Sequence, residues 1–351
     1  MFTVYNGKKV LITGHTGFKG AWLSVWLHSL GAQLSGLALE PEQADGVFVR
    51  TNIGAHMNDH RGDIRDLDRV LSVFAKDAPE IVFHLAAQPL VIESYRDPVG
   101  AFAINTQGTA HVLEAIRQTP SVRAAVMVTT DKCYENREWI YGYRETDPMG
   151  GHDPYSASKG AAEIVIHSFR RSFFSKPGTP AIASARSGNV IGGGDWAANR
   201  LVPDIFRTLE AEQTLDIRSP DAVRPWQHVL DPLAGYLLLG QKLLEAQQQY
   251  AGAWNFGPLP DNVLPVRRMA DAFFQRLGRG GWRDVSSPGQ LHEAGLLMLD
   301  ISKAIQTLGW KPKLEPERMV AMTTDWYLNF RRQDVLALCL EQIDQYQQLW
   351  K

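Results

Sequence analysis

The sequence predicts an α/β fold, a doubly wound parallel sheet with a smaller C-terminal α/β lobe, on three observations. Short β-type runs alternate with helical stretches through the first half of the chain. A glycine-rich turn joins the first of those runs to the first helix. Beyond residue 179 the alternation loosens, and residues 189–232 become rich in Gly, Pro, Asp, Arg and Trp.

Lys9-Val10-Leu11-Ile12-Thr13 reads as a strand that stops at Gly14. A helix follows, with Trp22, Leu23, Trp26, Leu27 and Leu30 at helical spacing and Gly31 placed to end it. Residues 34–39 read as a second strand, 67–76 as a helix and 81–86 as a third strand. Residues 109–119 read as a helix, 124–129 as a fourth strand and 181–185 as a further buried strand. This order builds a parallel sheet covered on both faces. Mixed segments lie at 230–249, 266–277 and 318–330. From Gln333 the chain reads as an exposed amphipathic helix, with Gln347 and Gln348 near its end. The expected division is a cofactor-binding domain over 1–188, taking later strands from the region 225–257, and a mainly substrate-binding lobe over 189–351 interleaved with it.

A chain of 351 residues has room for one large domain or two, and 44% hydrophobic with 21% charged residues is a globular balance. The formal charge of -2, with no long basic run, lacks the footprint of a nucleic-acid binder. Cys133 and Cys339 make no disulfide framework, and the ten histidines form no metal-ligand spacing, so no metal is expected. The first strand begins within eight residues of Met1, which leaves no room for a signal peptide, and no apolar stretch approaches the roughly 20 residues of a membrane span. A cytoplasmic protein without membrane partners is expected.

The glycine turn is Gly14-His15-Thr16-Gly17-Phe18-Lys19-Gly20, a GxxGxxG spacing. Alone it could be a plain strand-to-helix turn. On the first strand of a βαβ unit it reads as a dinucleotide site of Rossmann type. The first glycine allows the tight turn, the second lets backbone approach a pyrophosphate, and the third lets helix and strand pack closely. Gly14, Thr16, Gly17, Phe18 and Gly20 are the expected contacts. Glu40 ends the second strand where a carboxylate would bind an adenosine ribose. No arginine lies between Gly20 and Val49, which favours NAD over NADP. Asp63 and Ile64 are expected at the adenine edge, and Leu85, Ala86 and Ala87 give close approach at the end of the third strand. His15 and Lys19 could weaken or help cofactor binding.

Tyr155 and Lys159, in Tyr155-Ser156-Ala157-Ser158-Lys159, lie one helical turn apart and share a face. An ammonium beside a phenol lowers the tyrosine pKa, and the phenolate can take an alcohol proton while hydride leaves for nicotinamide. The second cluster is Thr129-Thr130-Asp131-Lys132, leaving the strand end at 124–129. Groups at carboxyl ends of strands line the ligand crevice of an open α/β sheet. There a hydroxyl, a carboxylate and an amine could supply a donor, an acid and a base; a polar loop carrying a surface Asp–Lys pair is the plainer alternative.

Gly14–Gly20, His84-Leu85-Ala86-Ala87, Asn105-Thr106-Gln107-Gly108-Thr109 and Tyr155/Lys159 together resemble the extended short-chain dehydrogenase/reductases, and within them the nucleotide-sugar 4,6-dehydratases, over residues 8–330. Members acting on dTDP-glucose and GDP-mannose carry Thr-Asp-Glu or a close variant where this chain has Thr130-Asp131-Lys132. With Gly193-Gly194-Asp195-Trp196, that departure resembles the branch acting on CDP-glucose. The resemblance adds Asn105 and Thr129 to the cofactor contacts and implies catalytic NAD. It implies that Tyr155 removes the O4 proton, that Lys132 takes the C5 proton, and that Asp131 protonates the departing C6 hydroxyl. A lysine that stays charged would instead stabilise the enolate. Asn189, Arg200 and Arg224 resemble diphosphate-binding positions, Ser94 a sugar contact, and helices 109–119 and 155–174 a homodimer face. The alternatives are a nucleotide-sugar 4-epimerase, a dehydratase for a dTDP, UDP or GDP sugar, and a non-catalytic NAD(P)-sensing regulator.

Overall fold

The computed structural model describes residues 2–287 and 295–350. Seven strands form one parallel sheet: β1 (Lys9–Thr13), β2 (Gln33–Ala38), β3 (Asn58–Arg61), β4 (Ile81–His84), β5 (Ala124–Val128), β6 (Ala181–Arg186) and β7 (Gly252–Asn255). Their spatial order is β7-β6-β5-β4-β1-β2-β3, so the order reverses between β1 and β4 and opens a crevice at their carboxyl ends. Alternate side chains of each strand enter opposite cores, as the period of two requires. Val10, Ile12, Ile81 and Phe83 enter one core, while Leu11 and Val82 enter the other.

Helices α1 (Phe18–Ser29), α2 (Leu67–Asp77), α3 (Val91–Arg96), α4 (Gly108–Gln118) and α5 (Pro154–Phe173) belong to the first half. In α5, Asp153 caps the first turn by accepting from the Ser156 N–H at 2.9 Å, and Pro154 occupies a position that needs no donor. The second half supplies α6 (Leu201–Glu210), α7 (Leu230–Ala246), α8 (Val266–Leu277), α9 (Pro316–Asn329) and α10 (Val335–Gln348). Three two-stranded pairs stitch this half together: Val190–Ile191 with Gln227–His228, Val223–Arg224 with Leu264–Pro265, and Leu215–Ile217 with Trp282–Asp284.

The structure corrects the sequence reading at two elements. Strand β3 was unforeseen, because Asn58-Asp59-His60-Arg61 has no hydrophobic alternation, yet its backbone pairs with β2. The strands at 81–84 and 124–128 are therefore fourth and fifth. Helix α10 is not merely exposed. It lies against α1, burying Leu338, Cys339, Ile343 and Tyr346, and the Tyr346 ring meets Trp26 edge-on at 5.7 Å. Among the described residues, no helix is long and apolar enough to cross a membrane, and no cluster of His, Cys, Asp and Glu could hold a metal ion.

Candidate active site

The crevice is a cleft of about 1600 Å³, above the roughly 300–1,000 Å³ of a single drug-sized pocket. At its floor the glycine turn is sterically fixed. Gly14 has φ +75°, and a Cβ there would stand 2.6 Å from the Ala86 nitrogen. A Cβ on Gly20 would stand 2.1 Å from the Gly14 oxygen, so α1 closes directly onto the turn. Gly17 caps α1 without a side-chain hydrogen bond, which leaves the first-turn N–H groups facing the cleft as an anion cradle. Thr16, Phe18, Glu40, Asp63, Ile64, Leu85, Ala86, Ala87 and Thr129 all line the same cleft. Asp63 is tied to Arg65, whose Nε and Nη2 donate to it at 2.9 and 2.6 Å and hold its pKa down.

Beneath the turn, a chain of hydrogen bonds fixes the β1–β4 seam. The Thr109 hydroxyl donates to the Asn105 carbonyl at 2.7 Å, so it can only accept from His84 Nε2–H at 3.1 Å. His84 Nδ1 then accepts from the Thr13 hydroxyl at 2.7 Å, and Thr13 accepts from the Ala86 N–H at 3.3 Å. Burial pushes the His84 pKa down to about 3, and the Lys159 charge adds to the effect, so the ring stays neutral.

Helix α5 brings Tyr155 and Lys159 to the cleft wall opposite. Burial pushes the Tyr155 phenol up to about 12, against a hydrogen bond with Thr130. The sequence reading expected a phenol pulled toward neutrality by its lysine. In this state Lys159 Nζ instead donates to the Val128 carbonyl at 3.4 Å. Burial first, and the Lys19 charge second, lower the Lys159 pKa to about 8. Thr130, Asp131 and Lys132 leave β5 in a single 3-10 turn and line the cleft beside Tyr155. Asp131 is fully buried; its Oδ1 accepts from the Thr130 hydroxyl at 3.0 Å, and its Oδ2 has no hydrogen-bond partner among the described residues. Lys132 is half-buried. A surface Asp–Lys pair is therefore not what the chain makes here.

Asn189, Arg200 and Arg224 line the far end of the cleft. Asn189 adopts φ +47° and its buried Oδ1 lacks a partner among the described residues, while Arg200 Nη1 donates to Asp195 Oδ2 at 2.8 Å. Two expected contacts are turned away. Ser94 is buried behind α5, where its Oγ accepts from the Tyr155 N–H at 3.0 Å and donates to the Val91 carbonyl at 2.7 Å. Asn105 accepts from the Gln88 N–H at 2.9 Å and donates to the Ser158 hydroxyl at 2.9 Å, bracing the Tyr155 helix against the β4 loop. Both hydrogen-bond to the helix that carries Tyr155.

Two groups, Arg61 and Glu163, escaped the sequence reading, and Lys19, read only as an influence of open sign on cofactor binding, has a defined place. Lys19 reaches across the cleft floor, donating to the Ser187 hydroxyl at 3.1 Å and the Tyr236 hydroxyl at 3.2 Å, and burial lowers its pKa to about 8. Its place in the glycine turn was the signal. Arg61 lies on the unforeseen β3, with its Nε 3.0 Å from Glu40 Oε2. Glu163 extends the Tyr155–Lys159 face by one more turn and is buried.

The profile of the GDP-mannose 4,6 dehydratase family matches residues 11–254. CDP-glucose 4,6-dehydratase of Salmonella typhimurium is 43% identical over 339 residues, covering 95% of this chain and 94% of that protein. dTDP-glucose 4,6-dehydratase of Xanthomonas campestris pv. campestris is 26% identical over 349 residues, covering 91% and 92%. Among solved structures, the dTDP-glucose 4,6-dehydratase DesIV from Streptomyces venezuelae, with NAD and TYD bound, superposes with a TM-score of 0.79 at 22% identity, covering 92% and 98%. This glycine turn, tyrosine–lysine helix and seven-stranded sheet accordingly have a shared descent: the chain belongs to the GDP-mannose 4,6 dehydratase family, within the extended short-chain dehydrogenase/reductases.

Proposed function

We propose that the chain dehydrates CDP-D-glucose to CDP-4-keto-6-deoxy-D-glucose with catalytic NAD. The observation that carries this reading is the convergence of Asp131 and Lys132 with Tyr155 and Lys159 in one cleft. An epimerase would need only the second pair. Cytidine is supported by the 43% identity to the Salmonella enzyme, and NAD by the residues present. The Gly14–Gly20 cradle admits a pyrophosphate against bare backbone, and Glu40 offers a carboxylate to a ribose diol. When bound, NAD supplies a hydride acceptor for C4 and later a donor for C6, so the reaction has no net redox change.

Tyr155 takes the O4 proton, and its raised pKa makes it a strong base once ionised. Lys159, one turn on, stabilises the phenolate that must form first. The C4 ketone acidifies C5–H. Lys132 removes that proton while Asp131 protonates the leaving C6 hydroxyl, using the buried carboxylate edge that has no hydrogen-bond partner among the described residues. Asn189, Arg200 and Arg224 hold the diphosphate, with the guanidinium groups as bidentate donors. The segment beyond residue 188 then serves as the substrate lobe.

Helices α4 and α5, the latter with exposed Ile164, are the elements we assign to contact with a second copy of the chain, and a cytoplasmic homodimer is the corresponding assembly. Light scattering at micromolar concentration should give twice the chain mass; a monomer there rejects the dimer. The activity is tested by supplying NAD+ with CDP-glucose, dTDP-glucose, UDP-glucose or GDP-mannose and reading the alkali-induced absorbance of a 4-keto-6-deoxy sugar. CDP-glucose should give the highest kcat/KM. No product from any of the four would sink the dehydratase reading.

A further inference from the structure

We infer that Asp204 selects the base of the substrate, accepting a hydrogen bond from the 4-amino group of cytosine where uracil and thymine present a carbonyl oxygen. This rests on the proposed reading that a nucleotide-linked sugar lies with its diphosphate at Arg200 and its sugar at Tyr155. Arg200 caps α6, and the Asp204 N–H donates to the Arg200 carbonyl at 3.0 Å, so the two side chains sit one helical turn apart on one face. Both line the cleft. The Arg200 charge acts on the Tyr155 phenol, whereas the charges acting on Asp204 are those of Arg207, Arg218 and Asp195. Tyr155, Arg200 and Asp204 therefore follow one another along the cleft, in the order of sugar, diphosphate and base. Leu215, Ile217 and Val266 also line the cleft and give a base an apolar wall.

The Asp204 carboxylate is held at one oxygen only. Arg207 Nη2 donates to Oδ1, and the same guanidinium donates to the Trp196 carbonyl at 2.9 Å and the Ala197 carbonyl at 3.1 Å, which fixes its direction. Among the described residues no hydrogen bond reaches Oδ2, and the side chain is 32% exposed. Two other carboxylates that line the cleft nearby are engaged at both oxygens. Asp195 accepts from the Ala197 N–H at 3.1 Å and from Arg200 at 2.8 Å, and Asp216 accepts from Arg283 Nε and Nη2 at 2.5 and 3.2 Å. An ionised carboxylate accepts hydrogen bonds and cannot donate them. The cytosine 4-amino group donates, while the 4-oxygen of uracil or thymine accepts, so Oδ2 meets its complement only in cytosine. Burial raises the Asp204 pKa against its arginine neighbours, and an amine donor at Oδ2 favours the charged form.

Titration calorimetry of the purified full chain with CDP and with UDP tests this, because the two ligands share ribose and diphosphate and differ only in the base. The wild-type chain should bind CDP about tenfold more tightly than UDP. Asp204→Asn keeps an acceptor for Arg207 and sets an amide donor against the uracil 4-oxygen, so the preference should fall to about threefold or less. Asp204→Leu should lose the CDP advantage while UDP affinity stays in place, which also shows that the variant site is folded. A CDP-to-UDP ratio that keeps its wild-type value in either variant, or that is near one in the wild type, overturns the inference and leaves the dehydratase reading intact. A wild-type chain that binds neither nucleotide would remove the nucleotide-sugar reading and this inference together.

Discussion

Arg186 donates to Glu163 at 2.7 Å, and both side chains are 4% exposed, one helical turn beyond Lys159. Glu163 also accepts from the Thr129 hydroxyl at 2.5 Å and the Ser184 hydroxyl at 2.8 Å, while Arg186 donates to the Tyr134 hydroxyl at 2.6 Å. A buried ion pair thus lies directly under the Tyr155–Lys159 face and joins α5 to β5 and β6. Removing one partner of such a pair costs about 3–5 kcal/mol, because the other charge stays buried and unpaired. Glu163→Ala should lose that much in urea unfolding. Replacing both residues by methionine should recover most of it, and an unchanged midpoint in the single variant would refute the role.

The pair also sets an acid limit. Burial raises the Glu163 pKa, but the Arg186 charge and three hydrogen bonds outweigh burial, so the folded value lies below the ordinary one. A depressed carboxylate stabilises the fold above its unfolded pKa of about 4.3 and loses that contribution as pH falls through the folded value. Thermal melts from pH 7 to pH 3 should therefore decline below about 4.3 more steeply for wild type than for the double methionine variant. Parallel curves would contradict it.

Lys132→Ala separates the two halves of the reaction. C4 oxidation, which we assign to Tyr155, should persist, so reduced nicotinamide should accumulate on mixing with substrate. Exchange of the C5 proton with deuterated solvent should fall about 10²–10⁴-fold, the range expected for loss of a general base. Normal exchange would move the base elsewhere.

Tyr155→Phe should abolish the first half instead. Reduced nicotinamide should not appear, and kcat should fall about 10²–10⁴-fold, while equilibrium binding of CDP-glucose changes little. Appreciable reduced nicotinamide in this variant would exclude Tyr155 as the O4 base.

Lys19 lowers the Lys159 pKa by its positive charge, second to burial. Lys19→Met removes that charge, so the Lys159 pKa should rise above about 8 and the pH–rate limb that reports it should move to higher pH. The readout is the pH profile of kcat/KM; a limb that stays in place would dissociate the two lysines.

The legible parts were local in sequence. The Lys9–Thr13 strand, the glycine turn and its helix lie within 21 residues, and Tyr155 and Lys159 within five, so spacing alone placed them. Asn58–Arg61 was illegible because an edge strand of polar residues is defined by backbone pairing rather than by side-chain pattern. Arg186 and Glu163 could not be paired from sequence, since 23 positions separate them and their meeting depends on how α5 packs against β6. Ser94 and Asn105 had the right residue types near the right motif, but helix packing turned them away from the cleft.

Strand β7 has a consequence for how this protein is made. It covers the outer edge of β6, yet it lies some 66 positions beyond it, after the whole 189–232 region has been threaded. On the ribosome, the cofactor half emerges with β6 unpaired on one side, presenting a row of free backbone donors and acceptors to any neighbouring nascent chain. Expressed as separate genes, the two halves would leave that edge open until they met. A stop at residue 188 would yield an aggregating fragment, whereas a circular permutant that keeps 181–255 continuous should stay soluble.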